Sequence, residues 1–278
     1  MPKLIFILLL FTLFQMYSGV IAQEIAEHKL RSTPFDIQAM AQIPAGEFTM
    51  GSNHGPDDEK PAHRIFLSSY SIDQYPVTNF QFAQFLNVVG LRNTNNERLF
   101  DDDDNDARIH LKDRLWQPDI GFEDHPVVEV SWVGARDYCL WSGKKLPTEA
   151  QWEKAARGTD ERKFPWGNTA PTQPTALYAQ YAARFNDTVP VTISTKGASP
   201  YGVMDLVGNA WEWVSSAYKP YPFTSNDGRE NPQAGPVRAT RGGGHDSPLS
   251  EITTTQRGKN LSRNPAAGHH NIAFRCAK

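Results

Sequence analysis

Apolar positions at helical spacing mark the first regular element of the chain. Phe82, Phe85 and Leu86 recur at intervals of three and one, which places them on one face of a helix. Thr78 stands where a helix N-cap is expected, and a glycine three residues beyond 87 can end the helix. The pattern therefore predicts a helix over residues 77–87.

Two further helices follow from capping signals. One is predicted from Gly134 to Trp141, because a glycine shortly after it stops the pattern. The other begins behind Thr148, which forms a capping box with Gln151 three residues later, and runs to Arg157.

The remaining apolar runs are short and lie between turn residues. They predict a hairpin over 40–52, strand pieces at 65–67 and 70–72, and a strand entered through proline over 125–132. With twenty Gly, twenty Pro and seven Trp, the chain is expected to be loop-rich and stabilised by aromatic packing. These elements indicate a mixed α and β fold.

The N-terminal residues are the most apolar part of the chain. A lysine, a short hydrophobic run over 4–14 and small residues before Gln23 predict a signal peptide over 1–22. The alternative is a membrane anchor, which needs about 20 apolar residues, whereas this run breaks at Gln15. We therefore expect a periplasmic or secreted protein without a membrane span after cleavage. Residues 23–35 are predicted to form a linker and 36–278 the domain.

Charge narrows the range of partners. The formal net charge is −3, and the chain has no basic excess that would favour nucleic acid. We expect a monomer that acts on a small-molecule or peptide substrate. The acidic run 101–106 resembles an EF-hand loop in spacing but lacks its glycine and its final glutamate. It is expected to be a solvated loop, with a second calcium site as the alternative.

Two glutamates on the third predicted helix have catalytic spacing. Glu149 and Glu153 lie four residues apart and could act as an acid and a base. Basic residues surround them, and ion pairing is the commoner use of such a pair. We expect them to be structural.

The segment 201–213, Y-G-V-M-D-L-V-G-N-A-W-E-W, combines aromatic bulk with oxygen ligands. Asp205 and Glu212 offer carboxylates, while Gly208 and Ala210 offer carbonyls. Such a set suits calcium better than magnesium. Alternatively, the tryptophans are core residues and the carboxylates are caps.

Four motifs together resemble the formylglycine-generating enzyme, or sulfatase-modifying-factor, family. They are the segment just described, K-L-P-T-E-A-Q-W-E-K-A-A-R-G at 145–158, F-P-W-G-N at 164–168 and N-I-A-F-R-C-A at 271–277. The resemblance implies an α+β, loop-rich fold related to C-type lectins. It also implies a structural calcium ion at Asp205, Gly208, Ala210 and Glu212.

The resemblance further places a disulfide between Cys139 and Cys276. Export would permit this bond, which would close a loop of about 140 residues and stabilise the fold by roughly 4–5 kcal/mol. The alternative is a pair of buried free thiols.

The catalytic cysteines of the family are missing. Counting back from Cys276 without gaps places Ser247 and Ile252 at the two copper-binding positions, and Gly244 at the preceding serine. Copper(I) requires soft thiolates there. The family's oxidation of a substrate cysteine is therefore not expected, and the chain resembles the cysteine-lacking branch, which includes a periplasmic member that matures the pyoverdine chromophore.

A polar pocket is expected to replace the copper site. Its candidate catalytic residues are His245, Asp246, Ser247 and Glu251, and its candidate substrate-binding residues are Trp211, Gly244, Arg257 and His269. The histidines and carboxylates could hold iron or copper, or could bind a ligand without metal.

Two functions from different classes remain. The first is an exported maturation enzyme of the oxidoreductase type that acts on a non-sulfatase substrate. The second is a non-catalytic, calcium-stabilised module that binds a ligand or protein. The formylglycine-generating activity itself ranks third.

Overall fold

The computed structural model describes residues 39–172, 175–178, 187–224, 226–234, 237–258 and 266–278. The predicted signal peptide and linker lie outside these residues. Gln38–Lys278 forms one compact unit. None of the helices in the described ranges is long and apolar enough to cross a bilayer.

Three α-helices form where the capping signals predict them. They are α1 (Asn79–Val89), α2 (Trp132–Trp141) and α3 (Glu149–Arg157). Thr78 and Thr148 cap α1 and α3 through reciprocal capping boxes, and Ser131 caps α2. Short 3₁₀ helices cover Asp57–Glu59 and Leu249–Glu251.

The strands form small antiparallel pairs and one three-stranded sheet. The pairs join β1 (Met40–Ile43) to β4 (Tyr70–Asp73), β2 (Gly46–Met50) to β3 (His63–Leu67), and β5 (Ile109–Lys112) to β6 (Leu115–Pro118). In the larger sheet β7 (Trp211–Ala217) lies between antiparallel β8 (Arg238–Arg241) and parallel β9 (Ile272–Phe274). This mixture of short helices and strands is the predicted α+β class.

The predicted hairpin over 40–52 is wrong in its pairing. Both strands form, but β1 pairs with β4 and β2 pairs with β3. The reason is that their apolar residues enter different clusters: Ile43 packs beside Trp152, whereas Phe48 packs beside Tyr221. The connection between the strands is held by Lys154, whose ammonium donates to two of its carbonyls.

The predicted strand over 125–132 is also wrong. Within it the backbone makes only single bridges, at Pro126 and Val130, before α2 begins. Proline has no N–H to donate, and Glu129 has a φ of 56°, which interrupts an extended strand.

A disulfide links the helical side of the core to the C-terminal segment. Cys139 on α2 and Cys276 after β9 are bonded, with their Cα atoms 5.6 Å apart. Two apolar clusters meet along the β8-β7-β9 sheet, one containing Trp213 and Phe274 and the other Trp152 and Val214. This sheet positions the residues of the site.

Candidate functional site

A cavity of about 510 Å³ opens where the sheet meets three loops. Trp211 from the start of β7 and Asn271 from just before β9 form one wall. The loop after β8 and the Asp57–Glu59 turn form the others. The size lies within the range of small-molecule sites. We call this cavity the acidic pocket.

Five of the predicted site residues line the acidic pocket. They are Trp211, Asp246, Ser247, Glu251 and Arg257. Gly244, His245 and His269 are not part of its lining.

Asp246 is held in place at the pocket by two neighbours. The amide of Asn271 donates to both of its oxygens, at 3.0 and 3.2 Å, and the His270 Nε2 lies 3.6 Å from its Oδ2. The His270 ring lowers the pKa of Asp246, and the carboxylate in turn raises the pKa of His270. Both side chains are half-exposed, and Asp246 is the one that lines the pocket.

Ser247 organises the loop rather than acting as a nucleophile. Its side-chain hydroxyl accepts a hydrogen bond from the Gly244 N–H at 3.1 Å, and the residue is buried. No described histidine or carboxylate is hydrogen-bonded to it, so the base that would activate a serine is lacking in the described part of the chain.

His245 points away from the cavity. Its Nδ1 is 3.0 Å from the Asn209 carbonyl, and its ring meets that of His270 edge to face. His269 likewise serves the scaffold: its carbonyl accepts the Glu129 N–H, and its ring packs near Trp213. These two predicted site residues therefore contact the scaffold and are not part of the pocket lining.

Arg257 contributes little positive charge to the pocket. It is 2% exposed, and its guanidinium binds Glu149 at 2.7 and 3.2 Å and two backbone carbonyls. The rings of Tyr218 and Tyr221 lie 4.4 and 4.2 Å from its Cζ atom. Its charge is therefore already compensated within the scaffold.

The structure explains what became of the family's cysteine positions. Ser247 faces the pocket, but Ile252 is fully buried in the apolar cluster around Trp152. An aliphatic side chain in the core cannot bind copper.

The predicted redox-metal ligands do not converge. Among the described residues, three histidine, cysteine or acidic ligand atoms come within 4.8 Å of one another only at Asp104, Asp106 and Glu129. That group contains none of His245, Asp246 or Glu251. Burial and nearby negative charge raise the pKa of Glu129 to about 8.

The predicted calcium loop curls as a ligand cradle requires. Asp205, Gly208 and Asn209 all have positive φ values, and a Cβ on Gly208 would lie 2.1 Å from the Leu177 carbonyl oxygen. The Asp205 Oδ2 accepts from Asn209 at 2.8 Å, whereas its buried Oδ1 has no partner among the described residues. Burial raises the pKa of Asp205 to about 7.

The Glu212 carboxylate accepts more hydrogen bonds than the Asp205 carboxylate. It accepts hydrogen bonds from Arg275 at 2.6 and 2.8 Å and from the Trp152 indole at 2.8 Å. Each carboxylate oxygen has two lone pairs, so Glu212 retains capacity toward a cation. The oxygen donors and the unpartnered Asp205 atom fit calcium.

Sequence reasoning missed the residues that come from far along the chain. Asp57, Asp58, Gln256 and Asn271 line the pocket. The Asp58 carbonyl binds Arg257 across a separation of 199 residues, and no local pattern indicates such a contact. Of these four residues, only Asn271 lies in one of the family motifs, as the first residue of N-I-A-F-R-C-A.

Comparisons with known proteins agree on the family. A model of the sulfatase-modifying factor enzyme 1-like domain matches residues 26–278. The chain is 32% identical to the formylglycine-generating enzyme of Bos taurus, over 86% of this chain and 74% of that protein. It is 34% identical to the serine/threonine-protein kinase pkn1 of Chlamydia caviae, over 93% of this chain and 41% of the kinase.

The chain thus spans about two fifths of the length of that kinase. A solved structure, PvdO from Pseudomonas aeruginosa, has the same fold. It aligns with a TM-score of 0.64 at 23% identity, covering 86% of this chain and 93% of PvdO.

Proposed function

The chain belongs to the sulfatase-modifying factor enzyme 1-like domain family, and from that premise we propose that it is a binding member that takes a positively charged ligand in its acidic pocket. The supporting observation is the imbalance of charge in the pocket wall. Its lining includes four carboxylates and one guanidinium, and that guanidinium is already paired with Glu149.

The wall residues indicate the kind of cation. Asp246 and Glu251 come from the segment after β8, Asp57 and Asp58 come from the first 3₁₀ helix, and Trp211 adds an aromatic ring to the same lining. Carboxylates beside an aromatic ring suit an ammonium or guanidinium group carried on an apolar stem. A lysine- or arginine-containing peptide, or a small amine, has this chemistry.

The loss of the copper site supports binding over the family's oxidation. One cysteine position carries a hydroxyl and the other a core isoleucine, so the thiolates that the oxidation requires are replaced. The scaffold nevertheless keeps a cavity at this place. A cavity lined by carboxylates and an aromatic ring can bind a cationic ligand without those thiolates.

Calorimetric titration with small peptides tests this proposal. We expect the tripeptide Gly-Lys-Gly to bind at low ionic strength, and Gly-Glu-Gly not to bind. The double variant Asp246→Asn, Glu251→Gln should weaken the binding of the lysine peptide about tenfold, since it removes two carboxylates but little volume.

The matched control is Asp113→Asn, which removes one carboxylate at a site outside the pocket lining. This variant should bind as the wild type does. Equal affinity for the two peptides, or a preference for the acidic one, would refute the proposal.

An oxidoreductase-type maturation enzyme is the second candidate. The observation in its favour is the Asp246–His270 pair, which places a proton-transferring group at the edge of the pocket. In this case the bound ligand would change in mass after incubation in air, and His270→Gln would abolish that change while leaving affinity within twofold. An unchanged ligand mass would favour pure binding.

We further propose a structural calcium ion at Asp205, Gly208, Ala210 and Glu212, and export of the protein to the periplasm or beyond. The unpartnered buried oxygen of Asp205 supports the first of these. An ion there would offset a buried negative charge and rigidify the loop that precedes Trp211. Metal analysis of Asp205→Asn, and N-terminal mass analysis of protein from the host, test the two proposals.

A further inference from the structure

A second group of carboxylates lies apart from the pocket lining and from the predicted calcium loop. Asp104 and Asp106 belong to the acidic loop before β5, and Glu129 precedes α2. One carboxylate oxygen from each lies within 4.8 Å of the other two. We call these three residues the acidic triad.

The other three carboxylates of the acidic loop share one arginine. Arg98 forms ion pairs with Asp101, Asp102 and Asp103. The described residues provide no such ion pair for the three members of the triad. Three carboxyl groups therefore converge, and the ion pairs of Arg98 include none of them.

Glu129 supplies the second, independent observation. Its side chain is only 3% exposed, and its carboxylate accepts no hydrogen bond from a described residue. In its ionised form, a buried, unpartnered carboxylate that faces two others is costly unless a cation joins them, and without a cation its pKa rises to about 8. Asp104 and Asp106 are exposed, so solvent can reach the same point and complete a coordination shell.

The backbone fixes Glu129 in this direction. Its N–H donates to the His269 carbonyl at 3.1 Å, and its carbonyl accepts from Asp101 at 2.9 Å. A Cβ on Gly268 would lie 2.4 Å from the Glu129 carbonyl oxygen, so the loop before β9 packs tightly on this residue. Both sides of the triad are thus held by main-chain contacts.

We propose that the acidic triad is a calcium-binding site. All three donors are carboxylate oxygens, which exclude soft metals, and the mixture of exposed and buried ligands favours calcium's variable coordination over strict octahedral geometry. The loop lacks a glutamate at its own end. Glu129 provides this ligand from 23 residues beyond Asp106.

Calcium titration by calorimetry tests the site. To isolate it, every protein carries Asp205→Asn, which removes the calcium loop's unpartnered carboxylate. We expect a dissociation constant of about 10⁻⁵–10⁻³ M. Adding Glu129→Gln should weaken binding at least tenfold, and Asp104→Asn, an exposed change that leaves the core intact, should do the same.

The matched control is Asp103→Asn. It removes one charge from the same loop, but this carboxylate is paired with Arg98, so affinity should stay within twofold. If Asp103→Asn weakens binding as much as Asp104→Asn, the attraction is diffuse and the site is refuted. Unchanged affinity in Glu129→Gln would also refute it, and equal affinity for magnesium would overturn the assignment to calcium.

Discussion

The carboxylates of this protein fall into two regions that differ in one respect. Behind the acidic pocket, Glu149 and Glu153 are fully buried, and four arginines bind them: Arg157, Arg229, Arg241 and Arg257. In the pocket wall and in the acidic triad, carboxylates outnumber the cations that reach them. In the first region the charges of the carboxylates are balanced by arginines of the same chain, whereas in the second region a cation from outside the chain would be needed to balance them.

This difference separates scaffold from site. Although burial alone would raise the pKa of Glu149, the charges of Arg257 and Arg241 lower it, so the carboxylate stays ionised in the core. Glu129 is also buried but has no such arginine, and its pKa rises. Burial alone therefore does not distinguish the scaffold carboxylates from the candidate sites, whereas the presence or absence of a paired arginine does.

The largest effect on the stability of the scaffold is expected from the loss of its disulfide. The double variant Cys139→Ser, Cys276→Ser should lose about 4–5 kcal/mol of unfolding free energy, because the bond closes a loop across a separation of 137 residues. Urea unfolding of the variant and the oxidised wild type measures this. A loss below about 1 kcal/mol would show that noncovalent contacts suffice.

Breaking the ion pairs should have the next largest effect. Glu149→Ala leaves Arg257 without its buried counter-charge and Arg241 with Glu153 alone, and we expect it to cost about 3–5 kcal/mol of stability. Chemical unfolding provides the measurement. Asp57→Ala, at a fully exposed side chain, is the control and should change stability by less than about 0.5 kcal/mol.

A buried neutral group in the same scaffold gives a pH test. Burial lowers the pKa of His125 to about 4, below its usual 6.5, so the unfolded chain takes up its proton first. This contribution to stability is present above about pH 6.5 and is lost as the pH falls toward 4, by about 3 kcal/mol in all. In His125→Gln, the free energy of unfolding should fall less steeply with decreasing pH between these two values than it does in the wild type. An unchanged slope would contradict the assignment.

The smallest effect is expected at the rim of the pocket. Asp57 lines the acidic pocket, but its side chain is fully exposed, where solvent and salt screen its charge. Asp57→Asn should weaken binding of the lysine tripeptide only about twofold, against the tenfold loss expected for the Asp246 and Glu251 double variant. Equal losses would mean that the pocket attracts cations only through its net charge.

Local signals predicted local structure well. The capping boxes at Thr78 and Thr148 placed two helices within two residues of their observed starts, and Glu149 and Glu153 are structural as expected. Strand pairing was predicted less well. Partners of β1 and β2 are chosen by which apolar cluster Ile43 and Phe48 enter, and a sequence window cannot contain that information.

The site shows the same division. Asp246, Ser247 and Glu251 were singled out because they lie in one stretch around the two expected cysteine positions, and the structure places all three in the pocket lining. Asp58 and Glu129 were missed, since each joins its group from a distant part of the chain. His245 was misplaced because its neighbour Asp246 faces the cavity while its own ring turns toward the Asn209 carbonyl.

A crystal structure of the protein with bound Gly-Lys-Gly would test most directly whether uncompensated carboxylates mark the ligand site. We predict that the lysine ammonium lies within hydrogen-bond distance of Asp246 or Glu251, with its aliphatic stem against Trp211. A peptide bound elsewhere, or one whose own carboxylate enters the pocket, would contradict the assignment.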